Sequence, residues 1–463
     1  MNRNQISKWY VIFAILFVLV MEQYAHAMMQ SIAEPIEIPC SFDPQGSGAR
    51  ALGMSGAFIS IADDGTASSW NPGCLIHLKK TSEFSFVFNV DHRIEQLRFD
   101  FDRDANGKQT ISIQDINYLS FSYPFTVSQY PMIVAFSYQH LYDFNREWDM
   151  PLTTHYDNDD ISERSHLHYV QKGSLSAIGL AWCIGFSPRL SFGLTLNLWN
   201  DWLNNNSWEQ HSIKHAQGLM YFDPNISPSH FKYQYDKRDS YSFRGVNVNL
   251  GLKYKFNDYL TLGIVYKSPF QADLTHKQTI HSNFQFNPGK PSPYDETKNQ
   301  KEHLDMPMSI GVGLSIRFSD RFTFAIDLSR TEWQDFIHYD ESGNASSFLT
   351  GPEVKHPDID PTHQIRIGAE YLIMNPPVQQ YVIPIRGGFF YDPAPANGTT
   401  DEFFGISLGT GIAMNAYIFD IAYKFRFGKN VDNDLFPAEK SFSQDVYDHR
   451  CYASFIYHFD PLK

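Results

Sequence analysis

The sequence has no hydrophobic run long enough to cross a bilayer as a helix. Its most apolar stretch, from Trp9 to Met21, is shorter than the about 20 apolar residues that a transmembrane helix needs. Arg3 and Lys8 precede this stretch, and Ala25-His26-Ala27 follows it, which is the pattern of a cleaved secretory signal peptide. We therefore predict that residues 1–27 are a signal peptide and that no helical membrane anchor remains.

Cysteine and positive charge are also scarce. The four cysteines are too few for a disulfide framework, although Cys40 and Cys74 could form one bridge. The 37 Lys and Arg residues are outnumbered by 51 Asp and Glu residues, which argues against nucleic acid as a partner. We identify no nucleophile elbow of a hydrolase and no phosphate loop. The protein is therefore expected not to be an enzyme and to need no cofactor.

Apolar and polar residues alternate along most of the chain from Thr81 onward. In the run from Ala416 to Phe427 one set of alternate positions is apolar: Tyr417, Phe419, Ile421, Tyr423, Phe425 and Phe427. The positions between them include Asp420, Lys424 and Arg426. A period of two indicates strands with unlike faces. One face suits hydrocarbon, and the other suits water or a plugged interior.

Fourteen such runs can be marked. They are residues 81–90, 116–124, 131–142, 173–184, 189–200, 242–256, 259–269, 307–318, 321–330, 363–373, 382–391, 403–412, 416–427 and 450–459. Short turns alternate with long polar stretches, which we interpret as loops, near 91–115, 143–172, 201–241, 270–306, 331–362, 392–402 and 428–449. Short turns on one side and long loops on the other are typical of bacterial outer-membrane barrels. We predict an all-β protein whose residues 81–463 form a 14-stranded antiparallel transmembrane β-barrel in the outer membrane.

The segment Met28–Lys80 shows no strand alternation and is rich in small residues. A barrel of fourteen strands is wider than the eight-stranded barrels that side chains can fill. Something should therefore occupy its lumen. Gly48, Gly53 and Gly56 would allow close packing there, and Asp63 or Asp64 could cap a short turn. We predict that residues 28–80 form an N-terminal hatch, or plug, inside the barrel.

Several motifs resemble the FadL/TodX family of outer-membrane transporters. They are Ala62-Asp63-Asp64 and Asn71-Pro72 in the N-terminal segment, with Gly73 at a family alanine, and farther along Met306 to Gly313, Ile365 to Tyr371 and Ile385 to Pro393. The resemblance implies a hatch-bearing barrel through which long-chain fatty acids or other hydrophobic compounds diffuse passively. It implies gating roles for Asp63, Asp64, Asn71, Pro72 and Gly73.

Charged residues on the predicted inward faces offer candidate ligand contacts. We consider Phe58, Arg317, Arg366 and Arg386 for contact with an acidic, apolar ligand. The same charges could instead pair with one another, as Glu370 and Arg386 would on neighbouring strands. Residues 102–107 copy the start of a calcium loop, but Ile113 stands where that loop needs a Glu, so no metal site is expected.

The main hypothesis is a channel for hydrophobic small molecules, acting as a monomer in outer-membrane lipid. The alternative is a barrel that does not transport and instead serves as a secretion or assembly partner. An outer-membrane lipid hydrolase is a third hypothesis with weaker support.

Overall fold

A computed structural model of the chain describes residues 44–100, 102–156, 161–204, 206–221, 227–347, 349, 359–374, 381–396, 398–432 and 442–459. The predicted signal peptide and Cys40 lie outside these residues. The predicted domain boundaries after residues 27 and 80 therefore stay predictions. No helix in the described part of the chain is long and apolar enough to cross a membrane.

Strands dominate the described residues. They are β1 (Ser82–Phe99), β2 (Gly107–Val127), β3 (Tyr130–Asp143), β4 (Arg146–Tyr156), β5 (Ile161–Gly185), β6 (Leu190–Trp199), β7 (Ser207–Met220), β8 (Ser229–Lys255), β9 (Leu260–Lys267), β10 (Phe270–Asn287), β11 (Ser292–Met306), β12 (Ser309–Arg317), β13 (Phe322–Thr331), β14 (Ile337–Tyr339), β15 (Ala345–Ser346), β16 (Thr362–Ile373), β17 (Tyr381–Tyr391), β18 (Phe403–Met414), β19 (Tyr417–Val431) and β20 (Phe442–Phe459).

Fourteen of these strands close into one antiparallel ring. Its order is β1, β2, β3, β5, β6, β8, β9, β12, β13, β16, β17, β18, β19 and β20, and β20 pairs back onto β1 from Ser82–Phe459 to Phe99–Phe442. Each strand of the ring overlaps one of the fourteen runs marked in the sequence. The predicted 14-stranded antiparallel barrel is thus confirmed.

The outward face of the ring is apolar. Phe121 on β2, Leu180 on β5 and Leu408 on β18 are among many large apolar side chains that project outward, and Leu408 is 65% exposed. A continuous exposed apolar surface of this kind is expected where hydrocarbon, rather than water, surrounds the wall.

Six of the seven stretches that we interpreted as loops contain paired strands. Residues 331–362 hold β14 and β15, and residues 428–449 hold the end of β19 and the start of β20. Residues 91–115 extend the β1–β2 hairpin, residues 143–172 hold β4 and much of β5, residues 201–241 hold β7 and much of β8, and residues 270–306 hold β10 and β11. That interpretation was wrong because these strands continue past the apolar belt. Where no hydrocarbon surrounds the strands, neither face needs to be apolar. The alternation in hydropathy is therefore lost there, while the backbone pairing continues.

The strands β10 and β11 and the part of β8 that pairs with β10 hold a buried ionic cluster around His276. His276 on β10 lies between Asp239 and Glu302, at 2.8 Å from each carboxylate, and His338 lies 2.9 Å from Glu302. Burial lowers the pKa of His276, but its hydrogen bonds to the two carboxylates outweigh burial and raise that pKa to about 9. Burial raises the pKa of Glu302, but hydrogen bonds from the two histidines lower it to about 2. The cluster therefore joins four strands, β8, β10, β11 and β14, and depends on charge.

Residues 44–78 lie within the ring. They contain the helices α1 (Ala49–Gly53) and α2 (Ala67–Trp70) and a 3₁₀ helix (Pro72–Leu78), and we call them the N-terminal segment. The backbone of Ala49 donates to Ser454 on β20, while Asn71 donates to the backbone of Leu252 on β8. Because β20 and β8 are separated by several strands in either direction around the ring, the segment crosses the enclosed space between them.

Candidate functional site

Asn71 is the centre of the contact between the N-terminal segment and the wall. Its side chain is fully buried, and its Nδ2 donates to the carbonyl of Ile59 at 2.8 Å and to that of Leu252 at 3.1 Å. Its Oδ1 accepts the backbone N–H of Gly73 at 3.0 Å, which caps the 3₁₀ helix beginning at Pro72. A single side chain thus ties two parts of the segment to β8.

Glycines in the wall make room for this contact. Gly193 on β6 and Gly251 on β8 face each other in register. A Cβ on Gly193 would lie 2.2 Å from the carbonyl carbon of Pro72, and one on Gly251 would lie 2.1 Å from Oδ1 of Asn71. Any side chain at either position would displace the segment. Glycine inside a strand indicates such a close approach, a signal that the sequence analysis did not use.

The same arrangement continues around the wall. On the next strands, glycines receive residues of the segment between Met54 and Ser60: Gly263, Gly311, Gly313, Gly368 and Gly388. They lie on β9, β12, β16 and β17, and β13, between β12 and β16, contacts the segment through Asp327, so these five successive strands line a continuous path for the segment. The fit along this path leaves the segment in close contact with one side of the barrel.

Asp327 on β13 holds the turn at Phe58 and Ile59. Its Oδ2 accepts the backbone N–H of Phe58 at 2.6 Å and that of Ile59 at 2.8 Å. Phe58 is fully buried, with its ring 6.1 Å from that of Trp70 in an edge-to-face arrangement. Phe58 therefore packs inside the segment, and its predicted contact with a ligand stays a prediction.

Arg386 lies in a buried ionic cluster. It donates to Glu370 at 2.6 Å and to Asp420 at 2.5 Å, and Glu370 also accepts two hydrogen bonds from Arg50 of the segment. The pairing of Glu370 with Arg386, considered from the sequence, is present in register between β16 and β17. Arg50 also pairs with Asp63. The cluster links the segment to the wall electrostatically.

The two predicted hatch aspartates behave differently. Asp64 is buried and accepts the backbone N–H of Thr66 at 2.9 Å, so it holds the turn that leads into α2. Asp63 is partly exposed and contacts Arg50. The backbone N–H of Gly65, next in the chain, donates to Glu83 of β1 at 2.5 Å. Residues 63–66 thus connect the segment to β1, a different part of the ring from the β8 strand that Asn71 contacts.

A cavity of 160 Å³ lies on one side of the segment. Its aromatic and aliphatic lining residues include Trp70, Tyr142, Trp199, Phe270, Trp333, Leu141, Val265 and Met306, and its cationic ones are Lys267, Arg366, Lys424 and Arg450. Arg366 bonds Asp392 at 3.4 Å and Arg450 bonds Asp91 at 2.8 Å. Lys267 forms no ion pair with any of the described residues. We call this space the upper cavity.

A larger cavity of 880 Å³ lies on the other side of the segment, among the short turns of the barrel. Charged residues line much of it, including Arg50, Asp63, His77, Lys79, Lys253 and Arg317. Arg317 bonds Asp320 in the β12–β13 turn at 3.0 Å. It therefore lies on the opposite side of the segment from Arg366, and the structure does not bring the predicted ligand contacts together. We call this space the lower cavity.

The wall beside the upper cavity is interrupted between β2 and β3. Their pairing runs from Val127–Tyr130 to Tyr118–Gln139 and stops there, although both strands continue. Farther along, β2 contacts β4 instead, through the side chain of Gln109, which donates to the carbonyl of Asp149 at 3.0 Å. Gln139, Leu141 and Tyr142 beside this interruption line the upper cavity. We call the interruption the β2–β3 opening.

Two other sequence features have structural roles. The expectation of no nucleophile elbow overlooked the Gly-x-Ser-x-Gly pattern of hydrolases at Gly405 to Gly409. Ser407 nevertheless lies within β18, and its hydroxyl bonds Ser55 and the carbonyl of Gly53. A nucleophile elbow needs a sharp turn from strand to helix. In the calcium-like loop, Asp102 accepts the backbone N–H groups of Asp104 and Thr153. The side chains of Ser407 and Asp102 therefore stabilise the backbone around them.

Residues 42–432 match the model of a family described as outer membrane protein transport protein (OMPP1/FadL/TodX). A solved Pseudomonas aeruginosa FadL homologue is similar over 92% of this chain and 100% of its own, with 14% identity and a TM-score of 0.56. The P. putida toluene transporter TodX is similar over 89% of this chain and 99% of its own, with 15% identity and a TM-score of 0.54. At these identities the likeness concerns the fold. No curated protein matches the sequence significantly.

Proposed function

Because the chain belongs to the outer membrane protein transport family OMPP1/FadL/TodX, a family of outer-membrane channels for hydrophobic compounds rather than of enzymes, we propose that its N-terminal segment gates passive uptake through the upper cavity. The proposal depends mainly on the position of the segment between two cavities. The small upper cavity is lined by tryptophans and other apolar side chains on the one hand and by amides, hydroxyls and four cations on the other, whereas charged residues line much of the lower cavity.

The size of the upper cavity favours a ligand with one aromatic ring. Its volume is 160 Å³, and a protein cavity of about 150 Å³ holds benzene. Trp70, Trp199 and Trp333 supply aromatic surfaces suited to edge-to-face or offset contact with such a ring. A long-chain fatty acid, which the family resemblance suggested, has several times this volume. It would enter only if Trp70 and the segment that carries it moved.

Lys267 extends the range of ligands to acids. Its ammonium group lines the upper cavity beside Arg366, and a carboxylate there would form a charge-assisted hydrogen bond. Both an aromatic acid and a fatty acid offer that group. We propose that the cavity accepts a small apolar body with or without a carboxylate, and that Lys267 sets the preference between them.

The charges in the lower cavity argue against an axial exit for an apolar molecule. Leaving the upper cavity for this wet, charged space would return its apolar surface to water, at about 25 cal/mol per Å². Passing through the β2–β3 opening would instead bring it into hydrocarbon. We propose this lateral route. We also propose that the protein acts as a monomer, because a closed ring leaves no strand edge for a second copy to pair with.

Uptake measurements with a gating variant test the proposal. In a strain that lacks the native gene, cells producing the wild-type protein should take up radiolabelled toluene and benzoate faster than cells with an empty vector. The double variant Asn71→Ala, Pro72→Ala should change the uptake rate while the amount of folded barrel stays the same. An unchanged rate in that variant would refute gating by the segment.

A second variant separates the ligand classes. Lys267→Met keeps a long side chain but removes the charge, so benzoate uptake should fall by more than toluene uptake. Oleate serves as the long-chain probe. If oleate alone were taken up, the ligand size inferred here would be wrong while the channel function would stand. Equal uptake with and without the protein for all three compounds would remove the transport function itself.

A further inference from the structure

Three potential metal ligands meet at the β2–β3 opening. Asp115 comes from β2, and His140 and Asp143 come from β3, and the nearest ligand atoms of the three side chains all lie within 4.8 Å of one another. We propose that these residues form a divalent transition-metal site that bridges β2 and β3 where their backbone pairing has stopped. The site does not depend on the proposed transport function.

Irregularities in both strands create the cluster. In β3 the register shifts at Leu141, and in β2 the register with β1 shifts at Asn117. Such β-bulges redirect side chains and occur often beside functional sites. In a regular strand His140 and Asp143 would point to opposite faces, because they are three residues apart. With the bulge, Leu141 turns toward the upper cavity while His140 and Asp143 turn toward Asp115.

His140 carries the second observation that favours a ligand. It is only 3% exposed, and its Nε2 has no hydrogen-bond partner among the described residues. The nearest carboxylate oxygen of Asp143 lies 3.7 Å away, too far for a hydrogen bond. Leaving a buried polar atom unpaired is unfavourable. A cation between the three side chains would satisfy this atom.

The carboxylate of Asp143 is already positioned. Its Oδ1 accepts the backbone N–H of Asn145 at 2.9 Å, and the side-chain amide of Asn145 lies 3.0 Å from both oxygens. Hydrogen bonds of this kind orient the ligands of many metal sites. Oδ1 thus accepts two hydrogen bonds and Oδ2 only one, so Oδ2, the oxygen nearest His140, retains a free lone pair for a cation. Asn145 would thus support the site from the start of the connection to β4.

The ligand chemistry favours zinc or a similar metal over calcium or magnesium. One imidazole with two carboxylates suits Zn²⁺, whereas Ca²⁺ and Mg²⁺ prefer ligands that are all oxygen. Two carboxylates also balance a charge of two. In the tetrahedral geometry of Zn²⁺, ligand atoms at about 2.0–2.2 Å from the ion lie about 3.3–3.6 Å apart. The ligand atoms, which lie within 4.8 Å of one another, would therefore approach one another by up to about 1.5 Å through side-chain rotation to bind one ion.

Direct binding measurements test the site. The full chain, purified in detergent with a tag that contains no histidine and stripped with a chelator, is titrated with Zn²⁺ by calorimetry. One ion should bind per chain. His140→Ala and Asp115→Asn should each weaken binding at least about tenfold. Co²⁺ should give visible absorption bands in the wild-type protein that both variants lose. Circular dichroism establishes that the variants are folded, and His140→Gln replaces His140→Ala if that protein does not fold.

An exposed pair of histidines supplies the matched control. His166 and His168 both contact Asp149 on the surface, at 2.9 and 3.3 Å, and could hold an adventitious ion. The double variant His166→Ala, His168→Ala should leave Zn²⁺ binding unchanged. Loss of binding in this variant would overturn the proposal, and so would equal affinity of the wild-type and His140→Ala proteins for Zn²⁺. Binding of Ca²⁺ or Mg²⁺ as tight as that of Zn²⁺ would also overturn it.

Discussion

Replacing Gly251 by alanine should loosen the N-terminal segment without opening the wall. The new Cβ would lie 2.1 Å from Oδ1 of Asn71 and 2.7 Å from Cδ of Pro72, well inside van der Waals contact. Overpacking of this kind typically costs about 1–3 kcal/mol. If the strain is relieved by displacement of the segment, the displaced state should become about 5- to 150-fold more populated. Gly251 pairs through its backbone only, so the β-sheet should keep its register.

Conductance across planar lipid bilayers can measure this population. The Gly251→Ala protein should show more frequent or longer open events than the wild-type protein. Gly387→Ala is the matched control, because a Cβ on Gly387 of β17 would meet no atom closer than 3.6 Å. Thermal unfolding followed by circular dichroism establishes that both barrels are intact. The reasoning fails if the two variants give the same open probability, since a tight fit at Gly251 would then not hold the segment.

Two further predictions concern charged groups. Asp327→Ala removes the acceptor for the N–H groups of Phe58 and Ile59, at a cost of about 1–3 kcal/mol for each buried donor left unpaired. Hydrogen exchange at these two amides should become faster, and wild-type protection in the variant would contradict the role of Asp327. In the ionic cluster around His276, the raised pKa of this histidine stabilises the fold fully below pH 6.5, and this stability is lost as the pH rises toward 9. The lowered pKa of Glu302 stabilises the fold above pH 4.5, and this stability is lost as the pH falls toward 2. Proteolysis of residues 270–306 should therefore be slowest between about pH 4.5 and 6.5, and cleavage that does not vary with pH would contradict this.

The strands of the wall could be predicted because each responds to its own surroundings. Hydrocarbon outside and an enclosed interior impose alternation on every strand separately, as in Tyr417 to Phe427 on β19. The alternation in hydropathy is absent where the strands extend beyond the hydrocarbon. The strands in 143–172 and 270–306 were therefore taken for loops, although their backbones are paired along their length.

The roles of site residues were predictable only in part. Asp64 stood out because its side chain could cap a short turn, and such caps depend on residues that are near in sequence. Asn71 stood out through the family motif, and its capping of the 3₁₀ helix came from the structure. The importance of Gly193 and Gly251 depends on a segment more than a hundred residues away. Arg317 and Arg366 carry the same charge on similar strands, yet they lie on opposite sides of the N-terminal segment. Only the path of that segment through the barrel separates them.

By itself, the sequence determined that this chain builds a closed antiparallel wall with lipid outside. It could do so because the face of each strand is set by the medium that the face meets. Only the tertiary structure decided where the wall is interrupted and which side chains meet there. Asp115 and His140 come together because bulges at Asn117 and Leu141 redirect two strands, and a shift of register by one residue has no signature in hydropathy.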